Sequence, residues 1–254
     1  MDFDNDLNAC AALVERGDPE RFRTVMAAPV AARAKLFPLY AFNVEVARAP
    51  WVTAEPMIAE MRLQWWRDAL EEIATGVSAR RHEVVTPLVD VLSANTAKML
   101  DELIAVRRRD IYKDAFEDEA HFTNYIDQTA GHLMVAATRS LGAAEEDVVR
   151  DAAFGAGIAA WLRAVPQLEA AKRVPLLDGR AEAVQDLAAG ALRRLQKARA
   201  SKAKISKAAS VAMWPVVGAD QLLKQVVRDP MSVAEGRLDA RPKPLIWAAM
   251  FGRW

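Results

Sequence analysis

The sequence has little of what several structural classes require. Its one cysteine, Cys10, stands alone among 254 residues, so no disulfide framework can form and a reducing compartment is expected. Glycine and proline number only 11 and 12, and β-branched runs with alternating polarity are hard to find. No uncharged apolar run reaches the roughly 18 to 20 residues that a membrane-spanning helix needs. These scarcities favour an all-α fold that does not cross a membrane.

An excess of charge of either sign is also missing. Lys plus Arg total 34 and Asp plus Glu total 34, so the formal net charge is zero. No global field therefore draws the chain to nucleic acid, and no nucleic-acid partner is expected. The opening residues MDFDNDLNAC are acidic and do not resemble a signal peptide. We expect a cytoplasmic location, with peripheral contact at the inner face of the membrane as an alternative.

Apolar spacing and turn residues predict a succession of helices in a single domain over residues 1–254. The predicted helices are 6–16, 19–29, 30–49 with a kink at Pro38, 55–76, 86–113, 121–142, 145–172 and 181–210, with one or two more up to Val227. Within 55–76, the residues Met61, Trp65, Ala69 and Ile73 recur every four positions and predict the buried stripe, with Trp66 and Leu70 beside them. Gly76 is placed to end this helix.

Four segments carry a family resemblance through their order and spacing. LYAF at 39–42 precedes MRLQWWRDALEEI at 61–73, and YIDQTAG at 125–131 precedes GAGIAAWLRAVPQLEAAKRVPLL at 155–177. In this order they resemble the squalene/phytoene synthase family over about residues 20–180. The resemblance implies an isoprenoid synthase-like fold, an all-α bundle around a central cavity.

The same resemblance implies where metal-binding carboxylates should stand. The family joins two allylic diphosphates with Mg²⁺, which is held by carboxylates four residues apart on facing helices. Here the matching positions hold Ala47, Arg48 and Trp51 in the first cluster, and Ala160, Ala164, Gln167 and Leu168 around Arg163 in the second. We therefore expect no metal and no cofactor, and Mg²⁺ only if displaced ligands support a prenyltransferase.

Three stretches are similar to one branch of the family, the branch that contains the mitochondrial complex I assembly factor six. They are AFNVEVA, MRLQWWRDALEEI and GIAAWLRAVP. This resemblance implies a non-catalytic accessory or assembly role, with respiratory complex I subunits or assembly intermediates as partners. Two alternatives stay open: a head-to-head prenyltransferase with displaced ligands, and a protein that binds isoprenoid-like lipids in a retained cavity.

Polar residues near these motifs are candidates for lining the cavity or binding an anion. They are Asn43, Glu45, Arg48, Arg62, Tyr125, Arg163, Lys172 and Arg173. Each also has a structural interpretation. Asn43 and Glu45 would then satisfy a helix end or Arg62, Tyr125 would pack in the core, and the other basic side chains would be solvated.

Several further pairings and contacts follow from local spacing. Arg67 is predicted to pair with Glu71 one turn on, and Arg107 to neutralise Asp110. Trp65, Trp66 and His132 are expected in the core or along the cavity. Carboxylates with a spacing of four could replace lost metal ligands, although such pairs arise often by chance: Asp110–Asp114, Asp114–Asp118 and Asp147–Asp151. The basic stretch 192–210 could touch an anionic membrane or an acidic partner, or form a solvated helix face. The tail with Trp247, Phe251 and Trp254 is a second candidate contact for a membrane or a partner.

Overall fold

The computed structural model describes residues 3–238, 245, 248 and 254, apart from the side chains of residues 3 and 4, and what it describes is helices and their connections. The helices are α1 (Phe3–Gly17), α2 (Pro19–Ala27), α3 (Val30–Arg48), α4 (Pro56–Thr75), α5 (Val85–Val89), α6 (Ala94–Arg107), α7 (Arg109–Tyr112), α8 (Glu119–Ile126), α9 (His132–Leu141), α10 (Glu146–Ala170), α11 (Ala181–Ala200), α12 (Ala219–Arg228) and α13 (Met231–Ala234). The predicted all-α class is confirmed. Within this part of the chain, no helix is long and apolar enough to cross a membrane.

Shorter turns connect these helices. A π-helical turn, Asp127–Gly131, joins α8 to α9 without a break. Three 3₁₀ segments, Ala49–Trp51, Lys202–Lys204 and Ala209–Val216, lie between α3 and α4 and between α11 and α12. The extended residue Ile205 forms one antiparallel bridge with Ala144.

The inner helix of the bundle is α3. It is apolar almost all round, with a continuous buried run from Leu36 to Val44, and a helix of this kind is usually enclosed by its neighbours. It packs against α1, α2, α5 and α9. The helix passes through Pro38 as predicted. Because neighbouring helices enclose α3, the polar side chain of Asn43 lies in the interior.

Helix α4 has the predicted bounds but not the predicted buried stripe. Gly76 follows its last turn with φ of 72°, the left-handed conformation that glycine tolerates best. The buried residues are Ala59, Leu63, Trp66, Ala69 and Leu70, whereas Met61 is exposed and Trp65 and Ile73 are half-buried. Trp66 packs edge-on against Phe42 of α3 at 5.4 Å between ring centroids, and this tertiary contact sets the rotation of the helix.

Two predicted helices are shorter in the structure. The segment 86–113 is interrupted because the side chain of Ser93 caps α6, accepting a hydrogen bond from the amide of Thr96 at 3.2 Å. The segment 181–210 ends as a helix at Ala200. The predicted continuation of this helix to residue 210 is therefore wrong, and the larger apolar side chains Leu195 and Ile205 are buried in the core.

Candidate functional site

A cavity of about 510 Å³, here called the large cavity, lies among α2, α3, the π-turn, α9, α10 and the segment that leads into α12. Its lining combines charged and polar side chains with apolar residues, which include Ile126, Leu133, Met134, Ala156, Ala160, Trp214 and Leu222. At Gly157 of α10 an added Cβ would lie 2.9 Å from Ala130 Cβ, so glycine permits the close approach of α10 to the π-turn. The central cavity expected of this fold is therefore present.

Two carboxylates line the large cavity, and each is held by an arginine. Arg163 of α10 donates to both oxygens of Glu20 at 2.5 and 3.0 Å, and this ion pair raises the pKa of Arg163. Asp18 caps α2 by accepting a hydrogen bond from the Arg21 amide at 3.0 Å, and it also pairs with the Arg21 side chain. Burial raises the pKa of the neighbouring Tyr40 to about 12. The negative charges of Glu20 and Asp18 are thus neutralised by arginines.

Asn43 and Glu45 point to different surroundings. Asn43 is buried and lines the large cavity, and its side chain forms no hydrogen bond within the described residues. Glu45 lines neither this cavity nor the smaller pocket and pairs with Arg48 at 3.1 Å. The two side chains diverge because residues two apart on a helix are separated by about 200°. Arg62 is exposed, so its predicted pairing with them is wrong.

A second cavity of about 90 Å³ lies at the end of α10, beside α7 and the 3₁₀ turn after α3. We call it the arginine pocket; its lining is Trp51, Arg107, Arg109, Asp110, Lys113, Asp114, Tyr125, Trp161, Leu168, Arg173, Val174 and Pro175. The guanidinium of Arg173 lies over the Trp51 ring, 4.3 Å from its centroid. The pocket therefore combines aromatic walls with basic side chains.

Asp110 is the buried carboxylate of this pocket, and three side chains surround it. The Tyr125 hydroxyl donates to it at 2.7 Å. Arg107 lies 3.5 Å away and Arg109 lies 3.7 Å away, so the predicted neutralisation by Arg107 is confirmed. Burial, and then the charge of Asp110, raise the pKa of Tyr125 well above its usual range. Tyr125 thus remains a neutral hydrogen-bond donor.

Arg109 is held between aromatic rings. Its guanidinium lies 3.4 Å from the centroid of the Phe116 ring and 5.7 Å from that of Tyr125. Burial lowers its pKa, while Asp110 opposes that shift. The arginine pocket is consequently a place where positive charge is partly removed from water.

The family model of the squalene/phytoene synthases matches residues 14–177. The chain belongs to this family.

The chain is also similar to curated relatives, at 26 to 29% identity. The chain is 29% identical over 168 residues to the NADH dehydrogenase (ubiquinone) complex I, assembly factor 6 homolog of Drosophila melanogaster, covering 62% of the chain and 50% of that protein. It is 26% identical over 163 residues to assembly factor 6 of Homo sapiens, covering 62% and 48%. The chain thus spans about half the length of the curated relatives it matches.

Two solved structures share the fold. A dehydrosqualene synthase in complex with ligand superposes with a TM-score of 0.74 at 11% identity, over 93% of this chain and 96% of that one. Squalene synthase HpnC from Alicyclobacillus acidocaldarius gives a TM-score of 0.70 at 16% identity, over 91% and 96%. The isoprenoid synthase-like architecture predicted from the motifs is confirmed.

Of the seven positions that the family resemblance matches to carboxylates, Ala160 lines the large cavity, and Trp51 and Leu168 line the arginine pocket. The other four, Ala47, Arg48, Ala164 and Gln167, line neither. Four acidic residues line these cavities. Asp18, Glu20 and Asp110 are bonded to arginine or tyrosine as described above, whereas Asp114 accepts a bond from Arg109 through its backbone carbonyl. Among the described residues, no group of three or more His, Cys, Asp or Glu side chains is arranged to hold a metal. This donor set does not suit Mg²⁺, which requires near-octahedral oxygen coordination.

The predicted basic site does not form as one pocket. Arg163 lies in the large cavity and Arg173 in the arginine pocket, while Lys172 is exposed with φ of 59°. The left-handed turn at Lys172 reverses the chain after α10, and this reversal separates the three side chains. Arg67 pairs with Asp101 at 2.7 and 2.9 Å instead of with Glu71, so that prediction is also wrong.

Two other residues that were predicted to bind a metal or a partner form contacts within the protein instead. Asp151 of the proposed Asp147–Asp151 pair binds Arg194 and Lys197, each at 2.8 Å. Of the aromatic tail, Trp254 is buried, and its carbonyl accepts a hydrogen bond from Arg199 at 2.8 Å. Trp247 and Phe251 lie outside the described residues.

Sequence reasoning did not select several residues of the site. Arg107 lines both cavities, and Arg109 lies at the centre of the arginine pocket. The run of three arginines at 107–109 was the available signal. Trp214 lines the large cavity and buries an indole N–H that has no acceptor within the described residues. No local motif marks that tryptophan.

Proposed function

We propose that this chain is a non-catalytic member of the squalene/phytoene synthase family that acts as an accessory or assembly factor for respiratory complex I. The observation that carries the proposal is the pairing of three of the four carboxylates that line the two cavities, with Glu20 bound to Arg163, Asp18 to Arg21, and Asp110 to Tyr125 beside Arg107. Its curated relatives named as complex I assembly factor 6 supply the role.

The chemical reasoning concerns the departure of diphosphate. Prenyl transfer leaves negative charge on the leaving group, and in this family Mg²⁺ held by carboxylates neutralises that charge. At the matching positions this chain has Ala47, Arg48, Trp51, Ala160, Ala164, Gln167 and Leu168, none of which offers a carboxylate ligand. A protein with this lining has the fold of the synthases but lacks their carboxylate ligands for Mg²⁺. Its partners in this account are complex I subunits or assembly intermediates.

Deletion of the gene in its native cells tests the assembly role. We expect fully assembled complex I to fall on native gels, subcomplexes to accumulate, and NADH dehydrogenase activity in membranes to fall with them. Re-expression of the wild-type chain should restore all three. Normal complex I in the deletion strain would contradict the assembly role.

A second candidate function, binding of an isoprenoid-like lipid, is favoured by the large cavity. Its volume of about 510 Å³ lies within the range of small-molecule sites, and apolar side chains form part of its lining. The Asn43 amide also lines it and has no partner in the described residues. This amide could fix the polar end of a lipid.

Substitution at the cavity wall tests this candidate. Farnesol binding would be measured by tryptophan fluorescence without Mg²⁺ for the wild type, Ala160→Phe and Gln167→Phe. Both residues are exposed on α10, but Ala160 lines the cavity and Gln167 does not, so only the first variant should weaken binding. Equal binding by all three proteins would contradict a lipid site in this cavity.

A further inference from the structure

Two polar side chains of α3 line the large cavity without a hydrogen-bond partner. Tyr40 is 3% exposed and Asn43 is 8% exposed, and both belong to the wall of this cavity. Neither the Tyr40 hydroxyl nor the Asn43 amide forms a hydrogen bond within the described residues. Residues three apart on a helix are neighbours, with Cβ atoms about 5 to 6 Å apart, so the two groups lie side by side. We call them the α3 polar pair.

The polar atoms of the α3 polar pair are open to the cavity. Among the described residues, the side-chain polar atoms that are both sealed from solvent and unpaired belong to three arginines and to Trp214. The indole N–H of Trp214 therefore cannot reach a ligand, although this residue lines the same cavity. The hydroxyl of Tyr40 and the amide of Asn43 are not sealed in this way, so a ligand in the cavity can bond to them.

Both members of the pair are uncharged. Burial raises the pKa of Tyr40 to about 12, although the charge of Arg21 opposes this shift, so the hydroxyl stays protonated. The hydroxyl and the amide each contain a donor and an acceptor. A ligand hydroxyl that accepts a hydrogen bond from one member and donates one to the other would satisfy both.

The ionic groups of the large cavity are largely paired with one another. Its two carboxylates bind arginines, as described above, and Arg107 lies 3.5 Å from Asp110. The remaining cation of the lining, Arg23, is exposed. An anionic head group would have to displace a carboxylate from an arginine or stay at Arg23. An uncharged head group needs no such rearrangement.

Small residues of α10 leave room in the cavity for an apolar chain. Those that line it are Ala153, Ala156, Gly157, Ala159 and Ala160. At about 30 Å³ per water molecule in the liquid, the volume of about 510 Å³ corresponds to about 17 waters, and so to a ligand with a similar number of non-hydrogen atoms. An alcohol with about fifteen carbon atoms is of this size.

We propose that the large cavity binds an apolar alcohol of about fifteen carbon atoms, whose hydroxyl is held by Tyr40 and Asn43. This inference rests on the second candidate function, lipid binding, and specifies the class of head group. The head group is uncharged, and its single oxygen both donates and accepts a hydrogen bond. A diphosphate ester of the same chain is disfavoured because the α3 polar pair offers no charge to compensate it.

Binding of tritiated farnesol and of the tritiated hydrocarbon farnesene to the full chain tests the proposal. The quantity of interest is the Kd for farnesene divided by the Kd for farnesol. A change in cavity shape alters both constants, whereas the loss of a hydrogen bond to the hydroxyl alters only the second. Tyr40→Phe and Asn43→Leu should each lower this ratio by about threefold to tenfold, the effect of one hydrogen bond between uncharged groups.

Matched controls come from exposed residues of the same types. Tyr112→Phe and Asn95→Leu alter side chains that line neither cavity, so both variants should keep the wild-type ratio. Thermal unfolding adds a second readout. Asn43→Leu should leave the unfolding midpoint unchanged or raise it, because it removes a buried polar group that has no partner. A lower midpoint with an unchanged ratio would make Asn43 a structural residue and overturn the proposal.

Failure of the inference can be told apart from failure of lipid binding itself. Farnesol binding that is weakened by Ala160→Phe, with the ratio unchanged in Tyr40→Phe and Asn43→Leu, would keep the lipid in the cavity but overturn the assignment of its head group. Tighter binding of palmitate, or of farnesyl diphosphate without Mg²⁺, than of farnesol would overturn the uncharged class. No binding of farnesol by the wild type would overturn both the inference and the second candidate function.

Discussion

Arg163 forms a bidentate ion pair with Glu20, from which it is separated by 143 positions in the sequence. The pair joins α10 to α2 at the wall of the large cavity. It uses the arginine that the family motif retains and one of the two carboxylates that line this cavity. The same pair therefore serves both as a tertiary contact and as the reason why no free carboxylate is available there.

The Glu20–Arg163 pair should contribute modestly to stability. Both side chains are more than a third exposed, so solvent screening limits the effect of Glu20→Gln to about 0.5 to 1 kcal/mol. Urea unfolding measures the difference. Asp178→Asn is the control, because its partner Arg180 is two residues away and the pair is exposed. A loss above about 3 kcal/mol would mean that the pair behaves as a buried one.

The observed buried stripe of α4 predicts opposite results at two positions. Trp66→Ala should lower the free energy of unfolding by about 3 to 5 kcal/mol, because it removes a buried ring packed on Phe42. Met61→Ala should change it by less than about 0.5 kcal/mol, because Met61 is exposed. Chemical denaturation of both variants checks this. Similar losses at both positions would indicate that Met61 is buried, as the spacing predicted.

The buried hydroxyl of Tyr125 is expected to matter more than the exposed one of Tyr112. Tyr125→Phe removes a donor to Asp110 and leaves that buried carboxylate less satisfied, so we expect a loss of about 1 to 3 kcal/mol. Tyr112→Phe removes a bond to Glu60 at the surface and should change the free energy of unfolding much less. Equal losses in urea unfolding would show that Asp110 does not depend on Tyr125.

His132 should make stability depend on pH. Burial lowers its pKa, while a hydrogen bond to Glu102 at 2.9 Å partly opposes that shift. The unfolded chain therefore binds more protons than the folded one below the ordinary histidine pKa of about 6.5. The contribution is complete above that pH and is lost as pH falls towards the folded pKa.

The free energy of unfolding of the wild type and His132→Gln should accordingly be compared from pH 7.5 to pH 5. The decline towards acid should be shallower in the variant, by at most about 1.4 kcal/mol per pH unit. Parallel curves for the two proteins would indicate that His132 does not titrate differently in the folded state.

Cys10 should be unreactive in the native protein. Burial is the main reason that its pKa rises to about 12, and Glu83 and Asp6 raise it further. At pH 8 almost no thiolate is present, so a thiol reagent such as Ellman's should react only after unfolding in urea. Rapid reaction of the native chain would show that α1 opens locally.

Local patterns predicted most helices because their signals lie within the helices themselves. The passage of α3 through Pro38 and the end of α4 at Gly76 are examples, since an apolar run and a left-handed glycine act over a few residues. The break at Ser93 was missed because a side-chain cap there competes with continuation of the helix. The family motifs, by their order, predicted the bundle and its central cavity.

The site was less predictable because its contacts are long-range. Arg67 binds Asp101, which is 34 positions away, instead of its helical neighbour Glu71. Arg163 and Arg173 are ten positions apart but lie in different cavities, since the chain reverses after α10. Partner choice of this kind depends on how helices are arranged, and periodicity within one helix does not specify it.

Turnover by the purified chain decides whether this protein is a prenyltransferase. The protein would be incubated with farnesyl or geranylgeranyl diphosphate and Mg²⁺, with a family member that has both aspartate clusters as the positive control, and products would be identified by mass spectrometry. The account predicts no condensed product and no Mg²⁺-dependent binding of either diphosphate. Condensed product from the wild-type chain that disappears on removal of Mg²⁺ would contradict it.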